Sequence, residues 1–123
     1  MGLSGGCHCG AVRYEVEGEP IHAALCHCTD CRKSAGAPMV AWAAFAEENF
    51  RVTQGEAVTH NSSGASYRSF CPRCGTGLWF RNAENLPGIV DVQGDHTVIA
   101  QALGQQRPGC EFLFHAADRP RCR

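Results

Sequence analysis

The sequence has no apolar run near the ~20 residues that a membrane-spanning helix needs, and its first residues lack the basic and apolar regions of a secretory signal. A cytoplasmic protein with no membrane partner is therefore expected. An excess of charge of either sign is also missing. Eleven Lys and Arg against twelve Asp and Glu leave a formal net charge of −1, which offers no basic footprint for nucleic acid. There is no internal repeat, low-complexity tract or linker-like break, so residues 1–123 read as one small domain. No serine-nucleophile motif, phosphate loop or carboxylate pair stands out. Long 3.6-residue periodicity with caps at both ends is absent too, which argues against a helical architecture.

The residue in excess is cysteine, with nine in 123 residues. The count is odd, so a fully paired disulfide framework would leave one thiol over. Their grouping says more. Cys7 and Cys9 form a pair, Cys26, Cys28 and Cys31 a triplet, and Cys71 and Cys74 a second pair, while Cys110 and Cys122 stand alone. Disulfide scaffolds scatter their cysteines, whereas short pairs and triplets separated by long gaps, in a chain with no export signal, point to metal ions.

Between the cysteines the pattern is that of short strands. Val12, Tyr14 and Val16 alternate with Arg13 and Glu15, the period of a half-buried strand. Strands are expected at 12–16, 21–25, 39–45, 50–53, 58–61, 67–70, 78–81, 89–92 and 111–115, with one helical turn at 46–49; the alanines of 39–45 leave a short helix there as the alternative. Glycine, serine or asparagine bounds most of them. The expected fold is mainly β, a small sandwich or barrel with only short helical turns.

Zinc–sulfur bonds of about 2.3 Å place tetrahedral sulfurs roughly 3.8 Å apart. Residues two apart on an extended strand are separated by about 6.6 Å, so a Cys-x-Cys pair needs a tightened backbone. Gly10 after Cys9 permits one. Cys71-Pro-Arg-Cys74-Gly75 has the form of a zinc knuckle, whose amides turn toward the sulfurs. Cys7, Cys9, Cys71 and Cys74 together would make a closed, structural four-thiolate site. The triplet differs. Cys26, Cys28 and Cys31 can cap one face of a metal and leave a fourth position open, as in catalytic zinc sites. His27, Asp30, Cys110 or a partner chain could instead close it. Filling both sites would make the protein more acidic, which further disfavours nucleic acid.

Three segments taken together carry a resemblance. Residues 6–14 (GCHCGAVRY), 26–36 (CHCTDCRKSAG) and 70–78 (FCPRCGTGL) occur in the order and with about the gaps found in the glutathione-dependent formaldehyde-activating enzyme (GFA) family, and the likeness covers residues 4–81 well. The resemblance implies a β-tent of small antiparallel sheets. It also implies a structural zinc on Cys7, Cys9, Cys71 and Cys74, and a catalytic zinc on Cys26, Cys28 and Cys31. The implied reaction joins glutathione, or a similar thiol, to formaldehyde, classed in reverse as a carbon–sulfur lyase. Residues 108–121 echo the family's last strand, but Cys122 stands where an aromatic is expected.

The other notable residues have plainer expectations. Arg32 and Lys33 could hold a substrate carboxylate, although a solvated basic pair is the simpler reading. Trp42, Phe45, Phe70 and Trp79 read as core or pocket wall. His8 and His27 sit between ligands and are expected to point away from the metal. His22, His60, His96 and His115 carry no motif, and Cys110 and Cys122 read as ordinary thiols. Two functions follow. One is an enzyme that presents a thiolate to an aldehyde. The other is a non-catalytic zinc-binding β-module for a protein partner or small metabolite.

Overall fold

The computed structural model describes residues 2–93. Its strands are β1 (Leu3–Gly6), β2 (Arg13–Val16), β3 (His22–Cys26), β4 (Val40–Ala46), β5 (Phe50–Gln54), β6 (Val58–Ser63), β7 (Ser66–Phe70), β8 (Gly77–Arg81) and β9 (Ile89–Val92). They form two antiparallel sheets, one of three strands in the order β1-β2-β5 and one of six in the order β3-β4-β9-β8-β7-β6. The mainly β expectation holds. Residues 47–49 form the single turn expected between β4 and β5, a 3-10 turn. The strand expected at 111–115, together with His96, His115, Cys110 and Cys122, lies outside the described residues.

Alternation in the sequence decides which side chains meet. In β2, Tyr14 and Val16 point inward and are buried, while Arg13 and Glu15 lie nearer solvent. In β4 the run of small and apolar residues divides by parity. Ala43 and Phe45 face the three-stranded sheet, joined by Trp79 from β8 and Val90 and Val92 from β9. Trp79 meets Tyr14 edge-on at 6.0 Å between ring centroids and Phe50 at 4.9 Å, so aromatic contacts clamp one sheet to the other. Burying a side chain such as Phe45 is worth about 1.5–3 kcal/mol, and this shared core holds most of the large apolar groups.

The opposite face of the six-stranded sheet carries different chemistry. Directly paired residues share a face, so Ala44, Asp91, Phe80 and Arg68 form a row across β4, β9, β8 and β7. Trp42, two residues before Ala44 in β4, lies on the same side. A short helix, α1 (Thr29–Ala35), packs against β4 and β6.

Two elements were not legible as such. Strand β1 reads LSGG, a weak strand sequence, but Gly5 pairs with Tyr14, whose ring packs where a Cβ would stand. Helix α1 is seven residues long, too short to show periodicity. The side chain of its N-cap, Cys28, accepts from the Cys31 amide at 3.3 Å. Its last turn closes on the left-handed Gly36, with the Gly36 and Ala37 amides donating to the Arg32 carbonyl at 2.9 and 3.2 Å. The expectation of helical turns alone thus becomes one capped two-turn helix.

Candidate metal centres

Two knuckles, built alike, bring the first four thiols together. In the turn between β1 and β2, the Cys7 amide donates to the Val12 carbonyl at 3.0 Å, and the Gly10 amide donates back to the Cys7 carbonyl at 3.2 Å. Between β7 and β8, the Cys71 amide donates to Thr76 at 2.9 Å and the Gly75 amide to Cys71 at 2.8 Å. Gly10 and Gly75 have φ of 82° and 81°, in the left-handed region that a side chain rarely adopts, and each directly follows the second cysteine of its pair. The reversal aims backbone donors at sulfur. Val12 donates to Cys7 Sγ at 3.2 Å, and Arg73 and Cys74 donate to Cys71 Sγ at 3.3 and 3.5 Å. The His8 amide donates to Thr76 Oγ1, which lies 3.2 Å from Cys74 Sγ and so ties the knuckles together.

The resulting spacing suits zinc. Cys7 and Cys9 sulfurs are 3.6 Å apart and those of Cys9 and Cys71 3.8 Å, against the roughly 3.8 Å edge of a tetrahedron with Zn–S bonds of 2.3 Å. All four sulfurs lie within 4.8 Å of one another. The seven described cysteines are free thiols, not disulfides. The Thr76 hydroxyl and amide draw the Cys74 thiol down to about 5. The Val12 amide and the neighbouring thiols outweigh burial to lower Cys7. Cys9, despite the Ala11 amide, is pushed up to about 11 by desolvation and the thiols around it. Such a cluster sheds its last protons only when a cation compensates the charge.

Cys26, Cys28 and Cys31 also place their sulfurs within 4.8 Å of one another. They come from three adjoining positions: the end of β3, the cap of α1 and its first turn. Burial pushes the Cys26 thiol up to about 12, while Cys28, though partly buried, is lowered by the Cys31 amide that it caps and by the other two thiols. Among the described residues, no histidine, acid or further cysteine joins this group within ligand reach. Of the proposed fourth ligands, Asp30 is engaged elsewhere and Cys110 lies outside the described residues.

Asp30 is turned toward Arg68. Arg68 Nη2 donates to Asp30 Oδ2 at 2.7 Å and to Cys31 Sγ at 3.4 Å, and its Nε donates to Ser62 Oγ at 2.9 Å. Ser62 in turn donates to Asp30 at 2.9 Å. The guanidinium lies 5.0 Å from the Phe80 ring centroid and 5.9 Å from that of Trp42, so a buried cation is held by aromatic walls, a carboxylate and a thiol. Against the effect of burial, Arg68 and Ser62 hold the Asp30 carboxyl below its ordinary range. Arg68 carried no motif in the sequence. Its one signal is an arginine at an inward-facing strand position, legible only once Phe80 and Trp42 are known to share that face.

A cavity of about 320 Å³ opens beside the triplet. Trp42, Phe80 and Leu86 supply apolar wall, and Arg68, Asp30 and Asp91 supply charge. Arg32 and Lys33 are exposed, Arg32 donating to Thr29 Oγ1 at 3.4 Å. His8 is exposed, and Trp42, Phe45 and Trp79 are buried. No described helix is long and apolar enough to cross a membrane.

A family model described as glutathione-dependent formaldehyde-activating enzyme (GFA) matches residues 2–109. The chain belongs to the GFA family. A Halomonas elongata protein provisionally named a glutathione-dependent formaldehyde-activating enzyme is 34% identical over 87 residues, covering 64% of this GFA chain and 55% of the relative. The chain thus spans little more than half the length of that relative. A Schizosaccharomyces pombe protein named an uncharacterized lyase is 29% identical over 123 residues, 86% of this chain and 81% of that one. A crystal structure of a Rhodobacter sphaeroides protein superimposes with a TM-score of 0.62 at 24% identity, covering 86% of this chain and 92% of that chain, which bears on the fold alone.

Proposed function

We propose that this GFA-family chain is a carbon–sulfur lyase of the S-hydroxymethylglutathione synthase type, joining glutathione or a similar small thiol to formaldehyde or a related aldehyde. The observation that carries this reading is the three-thiol group at the edge of a cavity, with no fourth protein ligand beside it among the described residues. Cys26, Cys28 and Cys31 would hold a zinc ion that supplies Lewis-acid activation of an incoming thiol, while Cys7, Cys9, Cys71 and Cys74 would hold a second, architectural one.

The chain's own residues do the rest. Trp42 and Phe80 keep part of the cavity dry, which strengthens every charge interaction inside it. Arg68 holds Cys31 through its sulfur and fixes the helix by gripping Asp30 in the same turn. Thiol addition to an aldehyde needs little chemical assistance, so holding the two reactants in one small space supplies much of the gain. The test follows S-hydroxymethyl product formation by ¹³C exchange NMR with the zinc-loaded protein. Wild type is expected to accelerate exchange above the spontaneous rate, and Cys28→Ser to return it to that rate. Equal acceleration by both would overturn the proposal and leave the cavity as a binding site for a metabolite.

A further inference from the structure

The cavity holds two aspartates in opposite circumstances. Asp30 is paired with Arg68 and hydrogen-bonded to Ser62. Asp91 lies in the middle of β9, only 6% exposed, with Ala44 and Phe80 as its cross-strand neighbours. Neither neighbour titrates. No ion pair holds Asp91 among the described residues. The charged and titratable groups around the same cavity are Arg68, from β7, Asp30, from α1, and the three thiols. Arg68 spends its donors on Asp30, Ser62 and Cys31.

A carboxylate in the middle of a sheet, facing a cavity without a cation of its own, has no evident packing reason to be there. An apolar residue would fill the position at less cost. Thiol addition, meanwhile, moves a proton from sulfur to oxygen, and a carboxyl beside the reactants can carry it faster than water. Resting on the reaction proposed above, we infer that Asp91 is the proton-transfer residue of the cavity. The Asp91 carboxylate accepts the proton of the incoming thiol. The sulfur electron pair forms the S–C bond as the carbonyl π pair moves onto oxygen. Asp91 then returns the same proton to that oxygen, giving the hydroxymethyl group. Nothing is oxidised or reduced, and the residue ends as it began.

The environment suits the role. Burial raises the Asp91 carboxyl to about 6, close to working pH, where a group both takes and gives a proton readily. Two carboxyls pushed apart by their surroundings divide the work: Asp30 stays ionised and holds Arg68, and Asp91 exchanges.

The experiment compares zinc-loaded wild type, Asp91→Asn and Asp91→Glu, each checked for metal content and thermal stability. Asp91→Asn is expected to lower kcat about 100-fold, in the range of general acid–base catalysis, with the thiol KM and zinc content unchanged. The wild-type loss of rate below about pH 6 should vanish in this variant, and Asp91→Glu should restore part of the rate with a shifted profile. Site-specific ¹³C NMR should show the Asp91 carboxyl titrating near 6 and its midpoint moving when the S-hydroxymethyl product binds. Wild-type kcat and pH profile in Asp91→Asn, with metal retained, would overturn the assignment while leaving the reaction in place. Absence of acceleration by wild type itself would overturn the reaction, and Asp91's role with it.

Discussion

The two cysteine clusters gather their thiols in different ways. At Cys7, Cys9, Cys71 and Cys74 backbone amides from two turns meet the Cys7 and Cys71 sulfurs, the Thr76 hydroxyl meets Cys74, and the turns belong to different sheets. At Cys26, Cys28 and Cys31 the thiols come from one short stretch of chain; the Cys31 amide meets Cys28, and a buried arginine side chain leans on Cys31. Backbone donors around sulfur produce rigidity, since they cannot move without the turn. A side-chain donor beside a cavity leaves room for something else to arrive. The two groups therefore differ in how far apart in the chain their thiols originate, and in the cavity beside one of them, more than in how many cysteines are present.

The contrast can be broken at its strongest point first. Cys71→Ser removes a thiol from the group that joins the two sheets, and, on the proposed structural metal there, the variant is expected to lose cooperative thermal unfolding or aggregate, because metal binding and folding are one process at such a site. A soluble variant with an unchanged melting temperature would erase the distinction. Cys28→Ser should behave oppositely, keeping its fold and its melting temperature within about 5 °C while binding one metal fewer by mass spectrometry under native conditions.

Next in size is Arg68→Met. Removing a hydrogen-bond donor to a metal ligand is expected to weaken the triplet's hold on metal by about 10–100-fold, read by chelator competition, with the four-cysteine site unaffected. Arg68→Lys should fall between the two, since an ammonium cannot keep the planar contacts with Asp30, Ser62 and Cys31 together.

The last contrast concerns pH. Asp91 has a folded value near 6, above the ordinary 3.8, so the native state holds the extra proton between those values and its stability falls as pH rises through them. Asp91→Asn should therefore stabilise the protein by about 1–3 kcal/mol at pH 8, with a smaller gain at pH 5.5 in urea unfolding. Asp30 has the reverse sign. Its depressed value contributes stability above the ordinary carboxyl range that is lost on acidification through the lowered value.

Much of this is legible in the amino-acid sequence. Alternation placed β2, which buries one face and shows its period, and short β-prone stretches bounded by turn residues placed most of the other strands, even β5 and β6, which stay largely exposed. The spacing of Cys7-x-Cys9-Gly10 and Cys71-x-x-Cys74-Gly75 carried its own backbone requirement, which the two positive φ angles meet. What stayed hidden depends on contacts far apart in sequence. Arg68 meets Cys31 across 37 residues and Asp30 across 38. Asp91 sits in a strand, IVDV, that reads as apolar with one polar interruption, and only the register with Phe80 shows which face it takes. Helix α1 escaped because its N-cap is a cysteine and its length falls below two periods.

The join between the knuckles bears on how the chain acquires its shape. Cys9 lies 62 residues before Cys71, the thiol it stands against. Closing so long a loop is slow relative to forming hairpins, and on a ribosome the amino-terminal thiols emerge well before their counterparts. The first turn must therefore wait, reduced and unmatched, until residue 74 has been made, and β1 and β2 can dock fully only then. Growth in scarce zinc should trap newly made chains with the larger sheet formed and the amino-terminal hairpin still open to proteases.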